Sequence, residues 1–460
     1  MSLLATFMVP HPPLIIPEVG KGGEKEIEKT SLAYQEVARE IAKLNPETII
    51  IISPHAPMYS DYFYISAKNQ ISGDLSQFGA STVKYTEEVD LELVDEITEL
   101  AEKYNFPTGK LVPQVPLDHG TIVPLYFIRK ELPKTKLLVI GLSTLPLVDN
   151  YKMGQIIKEA INNLNKNVVI IASGDLSHKL KENGPYGYIK EGPEYDKRIM
   201  EVCSKGEFSE LLKFDSLFLE KAAECGHRSF TIMAGALDGI DVEAKELSHE
   251  DITGVGYGIC TFYPKEENKE RFFLEKHLKE KELELNNKKE LSDDYVKLAR
   301  LSIENYILKK EKLTPPQNIS MELLENKAGV FVSIHKHDTL RGCIGTIVPT
   351  KENIAEEIIS NAISAAIHDS RFQPITEDEL KWLEINVDVL KKPEPIESKE
   401  ELDVKKYGVI VTSGFKQGLL LPNLDGIETI DDQISIAMRK GNIQKIDNYK
   451  LQRFEVIRHY

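Results

Sequence analysis

The sequence predicts an α/β amino-terminal domain with a mainly parallel central sheet, followed by a smaller α+β carboxy-terminal domain. Over residues 1–265, short runs rich in Ile and Val alternate with amphipathic segments, which is typical of a parallel sheet covered by helices. A segment dense in Lys and Glu then interrupts the chain. The remainder combines alternating apolar and polar runs with few helical segments, which favours an α+β fold.

Five apolar runs of the first domain are predicted to be strands, because each is short and is bounded by Pro, Gly, Ser or Asn. They are LLATFMV (3–9), TIIIIS (48–53), KLLVIGL (136–142), NVVIIAS (167–173) and GVGYGICTFY (254–263). Between the first two runs, Val37, Ile41 and Leu44 recur near helical spacing. This spacing predicts an amphipathic helix within residues 24–45.

The charged segment predicts the domain boundary. Residues 266–290 are rich in Lys and Glu and poor in Gly, which indicates a solvated, partly helical linker. Near the start of residues 291–460, DDYVKLARLSIENYIL (293–308) is expected to be an N-capped amphipathic helix. We therefore expect domains at 1–265 and 291–460.

Composition limits the class of partner and the location. The 460 residues carry a formal net charge of -16, which disfavours a nucleic acid as the main partner because like charges repel. The four cysteines are scattered without a C-x-x-C pair, which suggests a reducing cytoplasm. No run reaches the roughly 18 apolar residues of a membrane span. A cytoplasmic protein that binds neither membrane nor nucleic acid is therefore expected.

Histidines and an aspartate follow the predicted strands of the first domain. His11 and His55 each come directly after a strand, and Asp175 and His178 come after a third. In open α/β sheets, ligands bind beyond the carboxyl ends of the strands. His119, just before a predicted helix, could join them. Each histidine alone could be structural, but together they suggest a divalent metal held by two imidazoles and an anionic group, with positions left open.

The motifs in this domain resemble those of the LigB-like class III extradiol dioxygenases and of the related Memo proteins. The motifs are, in order, VPHPPLIIPEVG, ISPHAP, LDHGTIVPLYF, SGDLSHKL and ECGHRSFTIMAGAL. The resemblance implies that His11 and His55 ligate a metal, with Fe(II) expected in this family. It also implies that His178 is the catalytic base and His119 the second active-site histidine. Asp175 either orients an imidazole or caps the turn that follows it.

The sequence departs from the dioxygenase pattern at the third metal ligand. Where the family has a carboxylate, this chain has Cys225, and Glu224 is its immediate neighbour. Memo proteins also have a cysteine followed by glycine here. A thiolate could bind Fe(II), Cu or Zn, but it would alter the redox behaviour of the metal. Cys225 is therefore the expected ligand, and Glu224 the alternative.

The second domain contains TLRGCIGT (339–346), which resembles the signature of the AMMECR family, as do DSRFQPI and GLLLP further on. Arg341 could bind an anion in the tight turn expected here, and Cys343 could be a nucleophile. The favoured alternative is that Gly342 and Gly345 shape a bend and that Cys343 fills core space. A chain that joins both modules resembles a component of the AmmeMemoRadiSam system, which implies a radical-SAM partner on a separate polypeptide.

Three functions are consistent with these motifs. The first is a metal-dependent oxidoreductase that acts on a small aromatic, catechol-like substrate. The second is a Memo-like binding or metal-handling protein without ring-cleavage activity, which Cys225 favours, whereas the presence of His119 and His178 favours the first. Metal-dependent hydrolysis is weaker, because neither G-x-S-x-G nor H-E-x-x-H occurs.

Overall fold

The computed structural model divides the chain into two compact units, Met1–Leu278 (unit 1) and Lys279–Tyr460 (unit 2). The residues that it describes are 2–110, 113–424, 426–444 and 448–460. The division falls inside the segment 266–290 that the sequence indicates as a linker, although the bounds of that linker stay a prediction. No helix among the described residues has both the length and the hydropathy that crossing a membrane requires.

Unit 1 is built around one six-stranded sheet. The strands of the unit are β1 (Leu3–Val9), β2 (Thr48–Ser53), β3 (Phe63–Tyr64), β4 (Gln70–Leu75), β5 (Ala80–Glu88), β6 (Thr108–Gly109), β7 (Lys136–Gly141), β8 (Val168–Ser173), β9 (Ile240–Glu250) and β10 (Tyr257–Glu267). The sheet has the order β7-β2-β8-β1-β10-β9. Strands β7, β2, β8 and β1 are parallel, whereas β10 and β9 add antiparallel pairs at one side. The prediction of a mainly parallel sheet is confirmed.

The four parallel strands are almost wholly apolar because both faces of this part of the sheet are covered. Ile49, Ile50, Ile51 and Ile52 of β2 are all fully buried. The helices of the unit are α1 (Pro17–Gly20), α2 (Glu28–Leu44), α3 (Leu91–Lys103), α4 (His119–Glu131), α5 (Leu147–Leu164), α6 (Glu191–Lys205), α7 (Ser216–Ala222) and α8 (His227–Ala236). Helix α2 packs against α4 and β9, and α5 packs against α3 and α8.

Unit 2 consists of two antiparallel four-stranded sheets and helices, which confirms the α+β prediction. Its helices are α9 (Phe273–Leu291), which begins before the division between the units, α10 (Asp294–Lys309), α11 (Met321–Glu325), α12 (Ile354–Ile367) and α13 (Ile430–Lys440). Its strands are β11 (Gly329–Lys336), β12 (Thr339–Gly345), β13 (Leu383–Leu390), β14 (Glu394–Ile396), β15 (Gly408–Ser413), β16 (Lys416–Leu420), β17 (Lys450–Phe454) and β18 (Val456–His459). The sheets have the orders β12-β11-β13-β18 and β14-β17-β15-β16.

The TLRGCIGT motif forms a strand, not the tight turn that its glycines suggested. Residues Thr339–Gly345 are β12, which pairs with β11. The turn lies just before the motif, where His337 and Asp338 both have positive φ angles of 49° and 61°. The prediction of a turn within the motif is therefore wrong, because Gly342 and Gly345 pair with Ile334 and Phe331 in the sheet, and only the register shifts between Leu340 and Gly342.

Candidate metal centre

Three potential metal ligands meet at the carboxyl ends of the parallel strands. His11 follows β1, His55 follows β2, and Cys225 lies just before α8. One ligand atom from each lies within 4.8 Å of the others. The Nε2 atoms of His11 and His55 are 3.0 Å apart, and Nε2 of His11 is 3.6 Å from the Cys225 Sγ.

These separations fit one shared transition-metal ion. An ion bound at about 2.0–2.1 Å from nitrogen and about 2.3 Å from sulfur separates two nitrogens by roughly 2.8–3.4 Å and a nitrogen from a sulfur by roughly 3.1–3.6 Å. Two imidazoles and a thiol are also a donor set that suits Fe, Cu and Zn better than Mg or Ca. The donor set and its spacing are therefore those of a transition-metal site.

A serine fixes the orientation of the His11 ring. The Ser173 hydroxyl at the end of β8 donates to the carbonyl of Gly120 at 2.6 Å, so its oxygen is left to accept from Nδ1–H of His11 at 2.9 Å. This arrangement places the proton on Nδ1 and the lone pair of Nε2 toward His55 and Cys225. Burial, and then the charges of His55 and His178, hold the pKa of His11 well below its usual range. His11 is therefore neutral and oriented as a ligand.

His55 is held by a network that reaches the next helix. Its backbone N–H donates to the Ser53 hydroxyl at 3.2 Å, and that hydroxyl donates to Asp118 at 2.6 Å. Asp118 also caps α4, which begins at His119. A Cβ at Gly120 would lie 2.5 Å from the Ser53 Oγ, so glycine is required for this close approach. Burial lowers the pKa of His55, although the Asp118 carboxylate opposes the shift.

His119 lies against the two histidine ligands without belonging to the ligand group. Its ring centroid is 3.9 Å from that of His55 and 5.4 Å from that of His11. Burial, followed by the charges of His55 and His11, lowers its pKa to about 3. Phe78 meets the His119 ring edge to face at 5.2 Å. His119 is thus a neutral imidazole beside the centre.

Asp175 and His178 lie on the loop that follows β8. The Asp175 carboxylate accepts the backbone N–H of His11 at 2.7 Å, so it holds the main chain of a ligand and not an imidazole ring. Burial raises the pKa of Asp175, and the charge of His178 opposes that shift. Nδ1–H of His178 donates to the Ala223 carbonyl at 2.6 Å, which leaves Nε2 as the free acceptor. Tyr186 contacts the His178 ring edge to face at 5.3 Å.

Cys225 and Glu224 point to different partners. The Cys225 sulfur accepts the backbone N–H of Asp175 at 3.2 Å and lies in the ligand group. The Glu224 carboxylate instead accepts the backbone N–H of His227 at 2.5 Å, at the start of α8. Burial raises the pKa of the Cys225 thiol and raises that of Glu224 to about 7. The structure thus brings Cys225, and not Glu224, together with His11 and His55.

The sequence reasoning missed the residues that support the ligands. Ser173, Ser53 and Asp118 each hold a histidine or its neighbouring backbone, yet none of them was singled out. Their signal was present, since two are serines that end buried strands and the third precedes His119.

In unit 2, Arg341 is already engaged. Its Nε and Nη2 donate to the Glu379 carboxylate at 3.0 and 2.9 Å, and Nη1 donates to the Gln373 carbonyl at 2.8 Å. The side chain of Glu379 is only 9% exposed. These contacts use the guanidinium for packing, so they leave little of it for the anion-binding role considered from the sequence.

The other residues of the TLRGCIGT motif make close backbone contacts. A Cβ at Gly342 would lie 2.2 Å from the Ala365 carbonyl, which explains the glycine. The backbone N–H of Cys343 donates to Asp369 at 2.9 Å, and the Ser333 hydroxyl donates to the Cys343 sulfur at 3.3 Å. The TLRGCIGT and DSRFQPI motifs therefore meet where Asp369 and Arg371 contact the backbone of Cys343.

Two family models match the chain. Residues 5–260 match the model described as the catalytic LigB subunit of aromatic ring-opening dioxygenase, and residues 296–459 match the model described as AMMECR1. A protein of Clostridium acetobutylicum is 41% identical over 468 residues, which cover 100% of this chain and 99% of the relative. A protein of Thermotoga maritima is 47% identical over 167 residues, which cover 36% of this chain and 96% of the relative.

Two solved structures show a weaker likeness. A crystal structure of an uncharacterised Pyrococcus horikoshii protein is 30% identical and covers 37% of this chain and 91% of its own, with a TM-score of 0.34. One from Escherichia coli is 12% identical and covers 56% of this chain and 99% of its own, with a TM-score of 0.39.

Proposed function

This chain belongs to the LigB family of aromatic ring-opening dioxygenase subunits, and we propose on that basis that unit 1 is a metal-dependent oxidoreductase. An AMMECR1 domain follows the LigB domain. Its metal ligands are His11, His55 and Cys225. The substrate class is a small aromatic ring with two adjacent hydroxyl groups, and the metal is Fe(II), as in ring-opening enzymes of this type.

The observation that carries the proposal is the convergence of three ligand atoms within 4.8 Å, with the His11 ring held in the ligating tautomer by Ser173. The Ser173 contact satisfies the buried Nδ1–H of His11 and leaves the Nε2 lone pair facing Nε2 of His55 and the sulfur of Cys225, where one ion can serve all three side chains. A hydrogen-bond acceptor on the other ring nitrogen is the usual companion of a histidine that binds metal.

The side chains around the centre have complementary roles. His11, His55 and Cys225 would hold the metal ion, which would supply Lewis-acid and redox chemistry for the reaction of the substrate with oxygen. Nε2 of His178 accepts a phenolic proton, because its Nδ1 proton is engaged by the Ala223 carbonyl. His119 donates or accepts a hydrogen bond as a neutral imidazole. Asp175 keeps the His11 backbone in place.

Oxygen uptake by iron-loaded protein tests this function. Full-length protein is loaded with Fe(II) without oxygen and then mixed with catechol and a panel of substituted catechols. We expect oxygen uptake and a new absorbance from the opened ring. In H178A, turnover should fall at least about a hundredfold with metal content unchanged. The control is H368A, which alters an exposed histidine of unit 2.

Unchanged turnover in H178A would refute the role of His178. Metal-loaded wild type that consumes no oxygen with any catechol would instead support a second candidate, a Memo-like binding or metal-handling protein. The Cys225 thiol favours this candidate, since it stands where a ring-opening enzyme has a carboxylate. As a component of the AmmeMemoRadiSam type, the protein would then act with a separate radical-SAM enzyme. Enrichment of that enzyme with wild type, but not with H11A, would support it.

A further inference from the structure

Unit 2 contains a recess whose lining residues lie outside the TLRGCIGT, DSRFQPI and GLLLP motifs. It has a volume of about 260 Å³ and lies between the last turns of α9, the middle of α10 and strand β13. Its wall includes Lys289 from α9, Arg300 from α10, and Ile385 and Asn386 from β13. None of these residues belongs to the metal centre or to the TLRGCIGT motif.

Two cations face this recess without a carboxylate partner. The Arg300 guanidinium donates to the Leu383 carbonyl at 2.9 Å, and within the described residues neither Arg300 nor Lys289 forms an ion pair. Burial lowers the pKa of Arg300. Burial, and then the charge of Arg300, also lowers the pKa of Lys289. Two like charges in a half-buried recess destabilise each other, and a bound anion would remove that cost.

The acidic side chains near Arg300 and Lys289 form no ion pair with either cation in the described part of the chain. Glu384 also lines the recess, but its carboxylate is bonded to Lys288 at 2.7 Å. Glu304 and Glu384 raise the pKa of Arg300 from beyond ion-pair distance. Lys288 is paired with Glu284 as well, at 3.3 Å, so it is not a third free cation.

The rest of the wall combines apolar side chains with Ser292, Asn386 and Tyr460, and the Ser292 hydroxyl donates to the Lys288 carbonyl at 2.7 Å. Leu285, Leu291 and Ile385 line the recess, and Leu291 is 86% exposed. The side-chain amide of Asn386 makes no hydrogen bond within the described part of the chain. A ligand that fits this wall has one anionic group for the two cations and an apolar body for the leucines.

We propose that this recess binds a small organic anion, with a carboxylate or phosphate held between Arg300 and Lys289 and an apolar body against Leu285 and Leu291. The guanidinium of Arg300 has donors beyond the one given to Leu383, and these can pair with two oxygens of the anion. The net charge of -16 and the small volume disfavour a polyanion such as a nucleic acid.

Calorimetric titration of the full-length protein tests the site, with benzoate, phenyl phosphate and neutral benzyl alcohol as probes. We expect saturable binding of at least one anion and none of the alcohol. K289Q and R300Q should each weaken binding about tenfold or more, which is the scale of one charge-assisted hydrogen bond. R300K, which keeps the charge, should lose less than R300Q. The matched control is K297Q on the exposed side of α10.

The relative strength of benzoate and phenyl phosphate distinguishes a carboxylate ligand from a phosphate ligand. Absence of saturable binding of both anions would overturn the proposal. So would equal affinity in wild type and K289Q, a variant whose folding does not depend on the Leu383 contact. Equal weakening by K297Q would show a general charge effect, and would overturn it too.

Discussion

Ser173 connects the main chain around α4 to the ring of His11, a proposed metal ligand. It donates to the Gly120 carbonyl and accepts from Nδ1 of His11. S173A removes this acceptor, so the His11 ring can rotate or change tautomer. We expect metal affinity to fall about ten- to a hundredfold, as measured by competition with a chromophoric chelator. T6V on neighbouring β1 removes a buried hydroxyl that has no hydrogen-bond partner among the described residues, and should leave the affinity unchanged.

Glu379 makes unit 2 sensitive to acid. Burial alone would raise its pKa, but hydrogen bonds from Arg341 and Lys336 lower it to about 2. The folded-state pKa is therefore below the unfolded value of 4.5, so the carboxylate stabilises the fold above that value and the contribution is lost as the pH falls toward 2. It amounts to at most about 3 kcal/mol near neutral pH.

E379Q should lower the free energy of unfolding near neutral pH and flatten its dependence between pH 4.5 and 2. Denaturant titrations followed by the fluorescence of Trp382, the single tryptophan, measure this in unit 2. E325Q changes an exposed glutamate and is the control. An unchanged pH slope in E379Q would contradict the assigned contacts.

The meeting of individual residues could be predicted where each one follows a strand of the parallel sheet. His11 and His55 each follow a strand of the parallel sheet, so their meeting was expected from topology alone. The choice between Cys225 and Glu224 was not fully settled by sequence, since it depends on the backbone before α8, where Glu224 turns to cap the helix. Asp175 contacts backbone and not a ring for a similar reason, because its reach depends on the path of the loop.

At the level of elements, helices α5 and α8 cross where Gly154 of α5 meets Gly235 of α8. A Cβ at Gly154 would lie 1.9 Å from the Ile232 carbonyl, so alanine there would push the helices apart. We expect G154A to destabilise unit 1 by about 1–3 kcal/mol. Because α8 directly follows Cys225, metal affinity should fall as well.

Thermal unfolding and metal titration of G154A measure both effects. G23A is the control, since a Cβ at Gly23 meets nothing within 4 Å. Wild-type stability in G154A would show that the helices can separate without cost, and would contradict the close crossing.

Strands with a continuous apolar sequence were predicted, whereas strands that mix buried and exposed residues were not. The buried strands β1, β2, β7 and β8 read as continuous apolar runs. Strand β9 was missed because only two of its residues besides Ile240 are buried, so its sequence resembles a loop or helix. The hairpin of β4 and β5 was missed for the same reason.

At the scale of the whole molecule, each unit has its own apolar core. We therefore expect metal to stabilise unit 1 selectively. At a free metal concentration roughly one hundred times Kd, the gain is about 2.7 kcal/mol. Calorimetry should show a transition that moves upward with metal, whereas the Trp382 fluorescence transition of unit 2 stays in place. A metal-dependent shift of the Trp382 transition, with no other transition moving, would place the ion in unit 2 and contradict this assignment.

Metal analysis combined with X-ray absorption tests the shared centre of His11, His55 and Cys225 most directly. Protein purified without oxygen and loaded with metal should hold about one ion per chain. Its spectrum should contain nitrogen neighbours at about 2.0–2.1 Å and one sulfur at about 2.3 Å. The sulfur signal should vanish in C225S and persist in C203S, which alters a buried cysteine outside the ligand group. Equal metal content in wild type, H11A and H55A, or a spectrum without sulfur in the wild type, would contradict the account.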